Sequence, residues 1–154
     1  MRISSPAFRD GDYIPSKYTC DGKDVNPELH LDAVPAAAKS LVILVDDPDS
    51  PSGNWLHWSV WNIAPSTRLI PEDSVPAGAL EGETDFSETG YGGPCPASGE
   101  HEYRFIAYAL DTTLNLPHGS VRIAIEQAIE GHVISLATLT GRYQRIKMRA
   151  LAHA

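Results

Sequence analysis

The stretch that decides the fold runs from Val45 to Ile63 and reads VDDPDSPSGNWLHWSVWNI. An apolar run ends at Val45, and the prolines at 48 and 51 prevent a regular strand from continuing, so an acidic loop follows. From Trp55 the pattern has a period of two, which predicts a strand. Alternation assigns one face to Trp55, His57, Ser59 and Trp61, and the other face to Leu56, Trp58, Val60 and Asn62. An acidic loop followed by a strand rich in tryptophan is typical of a pocket rim.

A second cluster, GYGGPCPASGEHEY, extends from Gly90 to Tyr103. Glycines let a backbone approach a ligand closely, and successive N–H groups in such turns can bind an anion. In the strand that follows, His101 and Tyr103 share one face. Taken singly, each motif also has an ordinary explanation: a solvated acidic turn, a hydrogen-bonded core histidine and a plain Gly/Pro loop.

Composition excludes several classes of protein. The chain has 154 residues and a net charge of −8, which argues against binding to nucleic acid or to an anionic membrane surface. Its length predicts a single domain over residues 1–154. We find neither the apolar core of a signal peptide nor an apolar run of about 20 residues, so we expect a cytoplasmic protein that is not an integral membrane protein.

The sequence predicts a mostly β fold, either a sandwich or a barrel, because 12 glycines and 12 prolines separate short β-rich runs. The irregular stretch 64–99 is long enough to indicate a functional connection. Ser120 is expected to cap a helix over Val121–Ile129 that stops at Gly131. Further strands are predicted at Leu29–Leu31, at Ser40–Asp46 with both faces buried, at His101–Leu110 and at Val133–Tyr143.

The motifs DPDSP, WLHWSVWN, GYGGPCP and GEHEYRF, in this order, resemble the phosphatidylethanolamine-binding protein family, in particular its bacterial YbhB/YbcL branch, related to Raf kinase inhibitor protein. The resemblance implies a Greek-key β-sandwich of a larger and a smaller antiparallel sheet, one or two peripheral helices and a small anion-accepting pocket. Carried over residue by residue, the polar pocket positions are Asp47, Asp49, His57, His101 and Tyr103. The implied walls are Pro51, Trp55, Gly92, Gly93 and Pro94.

Such a pocket suits the head group of a phospholipid or another phosphate-bearing small molecule. The two histidines and the Gly92-Gly93 backbone could donate to a phosphate, while Asp47 or Asp49 could hold the ammonium of phosphoethanolamine. The resemblance also implies a regulator of a kinase or protease, without a cofactor or enzymatic activity and with a homodimer as one expected state. Eukaryotic members carry an additional C-terminal helix for which this chain is too short, so recognition that depends on that helix is not expected.

Two alternatives use the same residues. A hydrolase could employ the Asp and His side chains as general base and acid, although no Ser or Cys nucleophile lies in a recognisable elbow. A metal protein could use two His and two Asp ligands, although no spacing such as H-x-x-x-H places two ligands on one element.

Two local predictions concern the loops. Cys20 and Cys95 show no C-x-x-C pairing, which argues against a zinc site of the usual spacing. The family resemblance places both near the pocket, within disulfide range, whereas a cytoplasmic location favours reduced thiols, so both states stay open. We also expect a cis Ser50–Pro51 bond, because a tight turn must bring the acidic loop back over the strand.

Overall fold

The structure is a computed structural model that describes residues 1–145, so the last nine positions of the predicted domain lie outside the described residues. The described residues contain one α-helix, α1, which spans Arg122–Ile129, and a short 3₁₀ turn, which spans Ser16–Tyr18. The strands are β1 (Arg2–Ser4), β2 (Leu29–Asp32), β3 (Ser40–Asp47), β4 (Trp55–Ile63), β5 (Leu69–Ile70), β6 (Leu80–Glu81), β7 (His101–Leu110) and β8 (Val133–Tyr143).

Two antiparallel sheets make up the fold. The larger sheet has five strands in the order β6-β4-β3-β7-β8, and the smaller has three in the order β1-β2-β5. The mostly β, two-sheet prediction is therefore confirmed, and neither sheet closes into a barrel. The stretch 64–99 is not wholly irregular, because it contributes the two short strands β5 and β6.

Strand β3 is buried on both faces along its whole length, as its continuous apolar sequence predicts. Leu41, Ile43 and Val45 belong to the main core together with residues of the small sheet. Val42 and Leu44 belong to a second cluster that includes residues of helix α1. Each such fully buried aliphatic side chain contributes about 1.5–3 kcal/mol, so this strand is a major source of stability.

Strand β4 departs from the predicted alternation because it bulges. Leu56 pairs with Asp46 and Trp58 pairs with Val45, which leaves His57 as an extra residue opposite the neighbouring strand. A β-bulge adds one residue to one strand and thereby shifts the faces of the residues beyond it. The predicted grouping of Leu56 with Trp58 is therefore wrong. Leu56 packs with Trp61 in the second cluster, which includes residues of helix α1, whereas Trp58 packs in the main core.

Helix α1 confirms the predicted amphipathic helix and buries Ile125 and Ile129. The predicted cap is wrong, because Val121 occupies the N-cap position and no side chain caps the helix. The Ser120 hydroxyl instead donates to the Pro117 carbonyl at 2.6 Å, within the preceding turn.

The acidic loop reverses direction without a cis peptide. No cis bond occurs in residues 1–145, so the Ser50–Pro51 prediction is wrong. The turn is closed by Gly53 N donating to Ser50 O at 3.1 Å, and Gly53 adopts a φ of 97°, which glycine tolerates. This left-handed residue provides the reversal that the cis bond was expected to provide.

A buried carboxylate joins three elements beside this loop. Asp46 is only 3% exposed and accepts two hydrogen bonds of 2.8 Å from the Arg104 guanidinium. Asn54 donates to the same carboxylate at 3.0 Å, and Arg122 of α1 lies 3.5 Å away. Strands β3 and β7, the loop and the helix thus share one polar anchor.

Replacing Arg104 with Ala should lower the free energy of unfolding by about 1.5–3 kcal/mol, because a buried carboxylate loses two charge-assisted hydrogen bonds. Chemical denaturation of the folded, oxidised protein measures this. Arg68→Ala is the matched control, since within residues 1–145 its guanidinium donates only to nearby carbonyls at the surface, and the substitution should cost less than about 0.5 kcal/mol. Equal effects of the two substitutions would contradict the anchoring role.

Candidate functional site

A cavity of about 200 Å³ opens at the end of the larger sheet where the acidic loop ends. Strands β3, β4 and β7 bring polar side chains to it, and two loops supply its apolar wall. The lining residues are Asp47, Ser50, Pro51, Ser52, Trp55, His57, Phe86, Cys95, Pro96, Ala97, His101 and Tyr103.

The Asp47 carboxylate orients His101. Its Oδ2 lies 2.6 Å from His101 Nδ1, and both side chains are almost fully buried. Its other oxygen accepts the Asp49 N–H at 2.9 Å. Because an ionised carboxylate only accepts, Nδ1 carries the hydrogen and Nε2 is the ring atom that lacks a partner within residues 1–145.

The backbone orients His57 in a similar way. Its Nδ1 donates to the Gly92 carbonyl at 2.6 Å, and Gly92 N donates back to the His57 carbonyl at 2.9 Å. Burial lowers the pKa of His57 below 6.5, against smaller opposing effects of the Gly92 carbonyl and the Asp47 charge. The imidazole is therefore neutral near pH 7, with its Nε2 lone pair unused in the described part of the chain.

Two further polar groups of the pocket have no hydrogen-bond partner among the described residues. These are the Tyr103 hydroxyl and the Trp55 indole N–H, and both atoms are buried. Burial, reinforced by the nearby Asp47 charge, raises the pKa of Tyr103 far above its usual value of 10, so its hydroxyl stays protonated. The Cys95 N–H lies near the hydroxyl and opposes this shift, but it does not form a well-aligned hydrogen bond. Buried donors normally have an acceptor, so these two groups are unsatisfied inside the wall rather than exposed to a ligand.

The family model described as "Phosphatidylethanolamine-binding protein" matches residues 4–144. The chain belongs to this family.

Relatives occur in archaea as well as bacteria. "UPF0098 protein PH1269" of Pyrococcus horikoshii is 47% identical, over 94% of this chain and 77% of its own. A "UPF0098 protein" of Methanothermobacter thermautotrophicus is 45% identical, over 94% of this chain and 99% of its own. These names state no activity.

Two solved structures share the fold. The phosphatidylethanolamine-binding protein homolog CT736 of Chlamydia trachomatis superimposes with a TM-score of 0.89 at 39% identity, covering 94% of this chain and 97% of its own. Escherichia coli YbcL, described as a new member of the mammalian family, gives a TM-score of 0.87 at 28% identity, covering 94% and 98%.

The ten residues that the family resemblance assigns to the site do not all line the cavity. Asp47, Pro51, Trp55, His57, His101 and Tyr103 do, whereas Asp49, Gly92, Gly93 and Pro94 do not. Asp49 lies just outside, where its carboxylate accepts the Glu102 N–H at 2.8 Å. The Pro94 carbonyl accepts the Cys20 N–H at 3.1 Å.

The expectation that Gly92 and Gly93 donate to an anion does not agree with their hydrogen bonds. Gly92 N donates to the His57 carbonyl, and Gly93 N donates to Asp24 Oδ1 at 2.7 Å. Both donors are therefore used to hold the loop. These glycines are required by close packing instead, since a Cβ at Gly93 would collide with the Tyr18 carbonyl.

Sequence reasoning missed several wall residues, of which Phe86 is the largest. Its ring is 40% exposed, and its centroid lies 5.1 Å from that of His57 and 5.7 Å from that of Trp55. The signal was a single aromatic residue within the polar run ETDFSE, residues 83–88. The other missed residues are Ser50, Ser52, Cys95, Pro96 and Ala97.

Cys20 and Cys95 form a disulfide with a Cα separation of 5.5 Å. The predicted approach of the two cysteines is therefore confirmed, in the oxidised form.

Within residues 1–145, no three His, Cys, Asp or Glu side chains are arranged to hold a metal ion, which gives the metal alternative no support. No helix of the described chain is both long and apolar enough to cross a membrane.

We expect nuclear magnetic resonance titration of ¹⁵N-labelled histidines to show two features of the site. His57 should titrate below pH 6.5, because burial disfavours its cation. In their neutral forms, His57 and His101 should both carry the hydrogen on Nδ1. An Nε2–H tautomer at either residue would contradict the orientation described above.

Gly93→Ala should weaken the binding of any ligand in the cavity, because the added methyl displaces the loop that holds the His57 imidazole. The variant should also lose about 1–3 kcal/mol of stability, the usual cost of overpacking. Denaturation and ligand titration measure the two effects. Gly78→Ala is a control that adds a methyl group where a Cβ meets nothing within 4 Å, so it should leave ligand binding unchanged.

Proposed function

We propose that this protein binds the anionic end of a phosphate-bearing small molecule or phospholipid head group in the cavity between His57 and His101. The observation that carries the proposal is that both Nδ1 atoms are held by the protein, which leaves each Nε2 as the available ring atom. Membership of a family named for ligand binding supports the same class of function.

The cavity walls define what accompanies the anion. Trp55, Phe86, Pro51 and Pro96 provide an apolar surround. Pockets for drug-sized ligands usually have volumes of about 300–1,000 Å³. A cavity of about 200 Å³ therefore suits a phosphorylated head group rather than a whole lipid.

The charge of the cavity depends on its histidines. With both imidazoles neutral, the charge of the lining residues is the single negative charge of Asp47. Protonating His57 and His101 reverses the sign and turns each Nε2 into a donor. Anion binding is thus coupled to proton uptake, whether the proton comes from solvent or from the ligand.

The ammonium half of phosphoethanolamine has less support than its phosphate. Both oxygens of Asp47 already accept protein hydrogen bonds, and Asp49 Oδ2 accepts the Glu102 N–H. The proposal therefore concerns the phosphate, and an ammonium contact is a lesser expectation.

Phosphoethanolamine should bind more tightly at pH 5.5 than at pH 8. The lowered pKa of His57 means that its contribution appears only as the pH falls below 6.5, so affinity should still be rising at pH 5.5. Isothermal titration calorimetry in buffers of different ionisation enthalpy measures affinity and proton uptake together. Inorganic sulfate, whose charge is constant over this range, separates the ionisation of the protein from that of the ligand. Affinities for sulfate that do not change with pH would contradict the mechanism.

Replacing His101 with Ala should weaken phosphoethanolamine binding at pH 5.5 by about 1.5–3 kcal/mol, the usual cost of losing a hydrogen bond to a charged group. His132→Ala is a matched control, since His132 forms a similar pair with Asp111 at 2.7 Å on the surface. His132→Ala should bind like the parent protein. If His101→Ala also binds phosphate compounds as well as the parent does, this pocket is not the anion site.

The other predicted properties remain part of this proposal. They are a regulatory kinase or protease partner, a homodimer, a cytoplasmic location and the lack of enzymatic activity. The Asp47–His101 pair is also what a general base would require, so hydrolysis stays the alternative. Within residues 1–145, however, no hydroxyl or thiol is hydrogen-bonded to either imidazole of the pocket, which favours binding over nucleophilic catalysis.

A further inference from the structure

We propose that the Cys20–Cys95 disulfide controls the anion pocket, so that the oxidised protein binds anions and reduction weakens binding. This inference rests on the proposed function. Cys95 lies in the pocket wall, next to Pro96 and Ala97, whereas Cys20 lies outside the lining. The disulfide therefore joins the wall to a different part of the chain, 75 positions away in sequence.

The wall segment has few other attachments. Up to Pro94 the loop is held by hydrogen bonds, including those of Gly93 N with Asp24 and of Cys20 N with the Pro94 carbonyl. From Cys95 to Glu100 the backbone forms no hydrogen bond of acceptable geometry with any described residue. Pro96 has no N–H to donate. Among the described residues, the segment is otherwise held by the burial of Pro96, by the approach of the Cys95 N–H to the Tyr103 hydroxyl and by the ion pair of Glu100 with Arg142 at 3.5 Å.

The other end of the disulfide is firmly placed. Next to Cys20, the Thr19 side chain is fully buried and its hydroxyl donates to the Ser16 carbonyl at 2.8 Å. The hydroxyl of Tyr18 donates to Glu72 at 2.6 Å, and that of Tyr143 donates to Asp21 at 2.5 Å. Cys20 thus belongs to a well-anchored segment, and the S–S bond transfers this anchoring to Cys95.

The disulfide is open to chemical reduction, since both cysteines are partly exposed. The thiolate of a small dithiol attacks one sulfur, the S–S bond breaks and a mixed disulfide forms. The second thiol of the reagent then displaces the remaining protein sulfur. The protein gains two electrons and two protons and ends with two thiols, while the dithiol becomes a disulfide.

Reduction lowers affinity because it lowers the fraction of molecules in which the segment 95–100 keeps its position in the pocket wall. The apparent dissociation constant equals the intrinsic one divided by the fraction of molecules in the binding-competent state. If the freed segment keeps its wall position in about one molecule in ten, affinity falls about tenfold. The fixed hydrogen bonds of His57 and His101 do not involve the segment 95–100, so the fold and the histidine pair are expected to persist.

The experiment measures binding of phosphoethanolamine at pH 5.5 by calorimetry in three states of the same protein: oxidised, reduced with a phosphine or dithiol, and reoxidised. Cys20→Ser breaks the disulfide without changing a lining residue, so it should reproduce the reduced state. The Cys20→Ser protein treated with the reductant is the control for effects of the reagent alone. Far-ultraviolet circular dichroism reports whether each form retains its β-rich fold.

We expect affinity to fall about tenfold on reduction, to return on reoxidation and to be unaffected by the reductant in Cys20→Ser. If the oxidised and reduced forms bind equally, the redox inference is overturned and the anion-binding proposal stands. If the oxidised protein does not bind phosphoethanolamine or sulfate, the anion-binding proposal fails and the redox inference fails with it. Should Cys20→Ser not fold, reversible reduction of the parent protein still decides the outcome.

Discussion

Two adjacent carboxylates at the end of one buried strand determine the arrangement of the site. Because side chains alternate along a strand, Asp46 and Asp47 leave β3 on opposite faces. Asp46 is bound by Arg104 and Asn54 and lies near Arg122 of the helix. Asp47 receives the His101 imidazole on the pocket side. Burial makes both carboxylates dependent on these partners, since an unpaired buried charge is costly.

The bulge in β4 provides the second imidazole. As the extra residue opposite Val45 and Asp46, His57 is directed into the cavity, beside Tyr103, while Trp58 still packs in the core. Its Nδ1 meets a carbonyl, whereas the same atom of His101 meets a carboxylate. Two different acceptors thus hold His57 and His101 in the same tautomer, with the hydrogen on Nδ1. A protonated His101 has a counter-charge in contact, whereas a protonated His57 contacts a carbonyl dipole and the Asp47 charge acts on it without a direct hydrogen bond.

Much of the fold followed from local patterns, and the misses have identifiable causes. The apolar run of β3 and the alternation in β7 suffice to predict both strands, because burial and period two are encoded in neighbouring residues. The side on which Trp61 packs was not predictable in this way, since a bulge depends on the partner strand. The family motifs selected six residues that line the cavity, yet Phe86 and Ala97 reach it from loops without a periodic signal. The hydrogen bonds of Gly92 and Gly93 depend on which segment packs against them, information that a single segment does not contain.

The proposed anion site would differ from common phosphate sites in the source of its donors. A glycine-rich nest or a helix N-terminus binds anions with backbone N–H groups, whose donor capacity does not change with pH. Here the N–H groups of Gly92 and Gly93 are used internally, and the two imidazoles are the side chains with a ring nitrogen left for a ligand. Imidazoles change charge near neutral pH, and the number of hydrogens that they can donate changes with it. An anion site made from such groups would respond to protonation and to the position of its walls, whereas the glycine-rich loop orients the His57 imidazole through the Gly92 carbonyl.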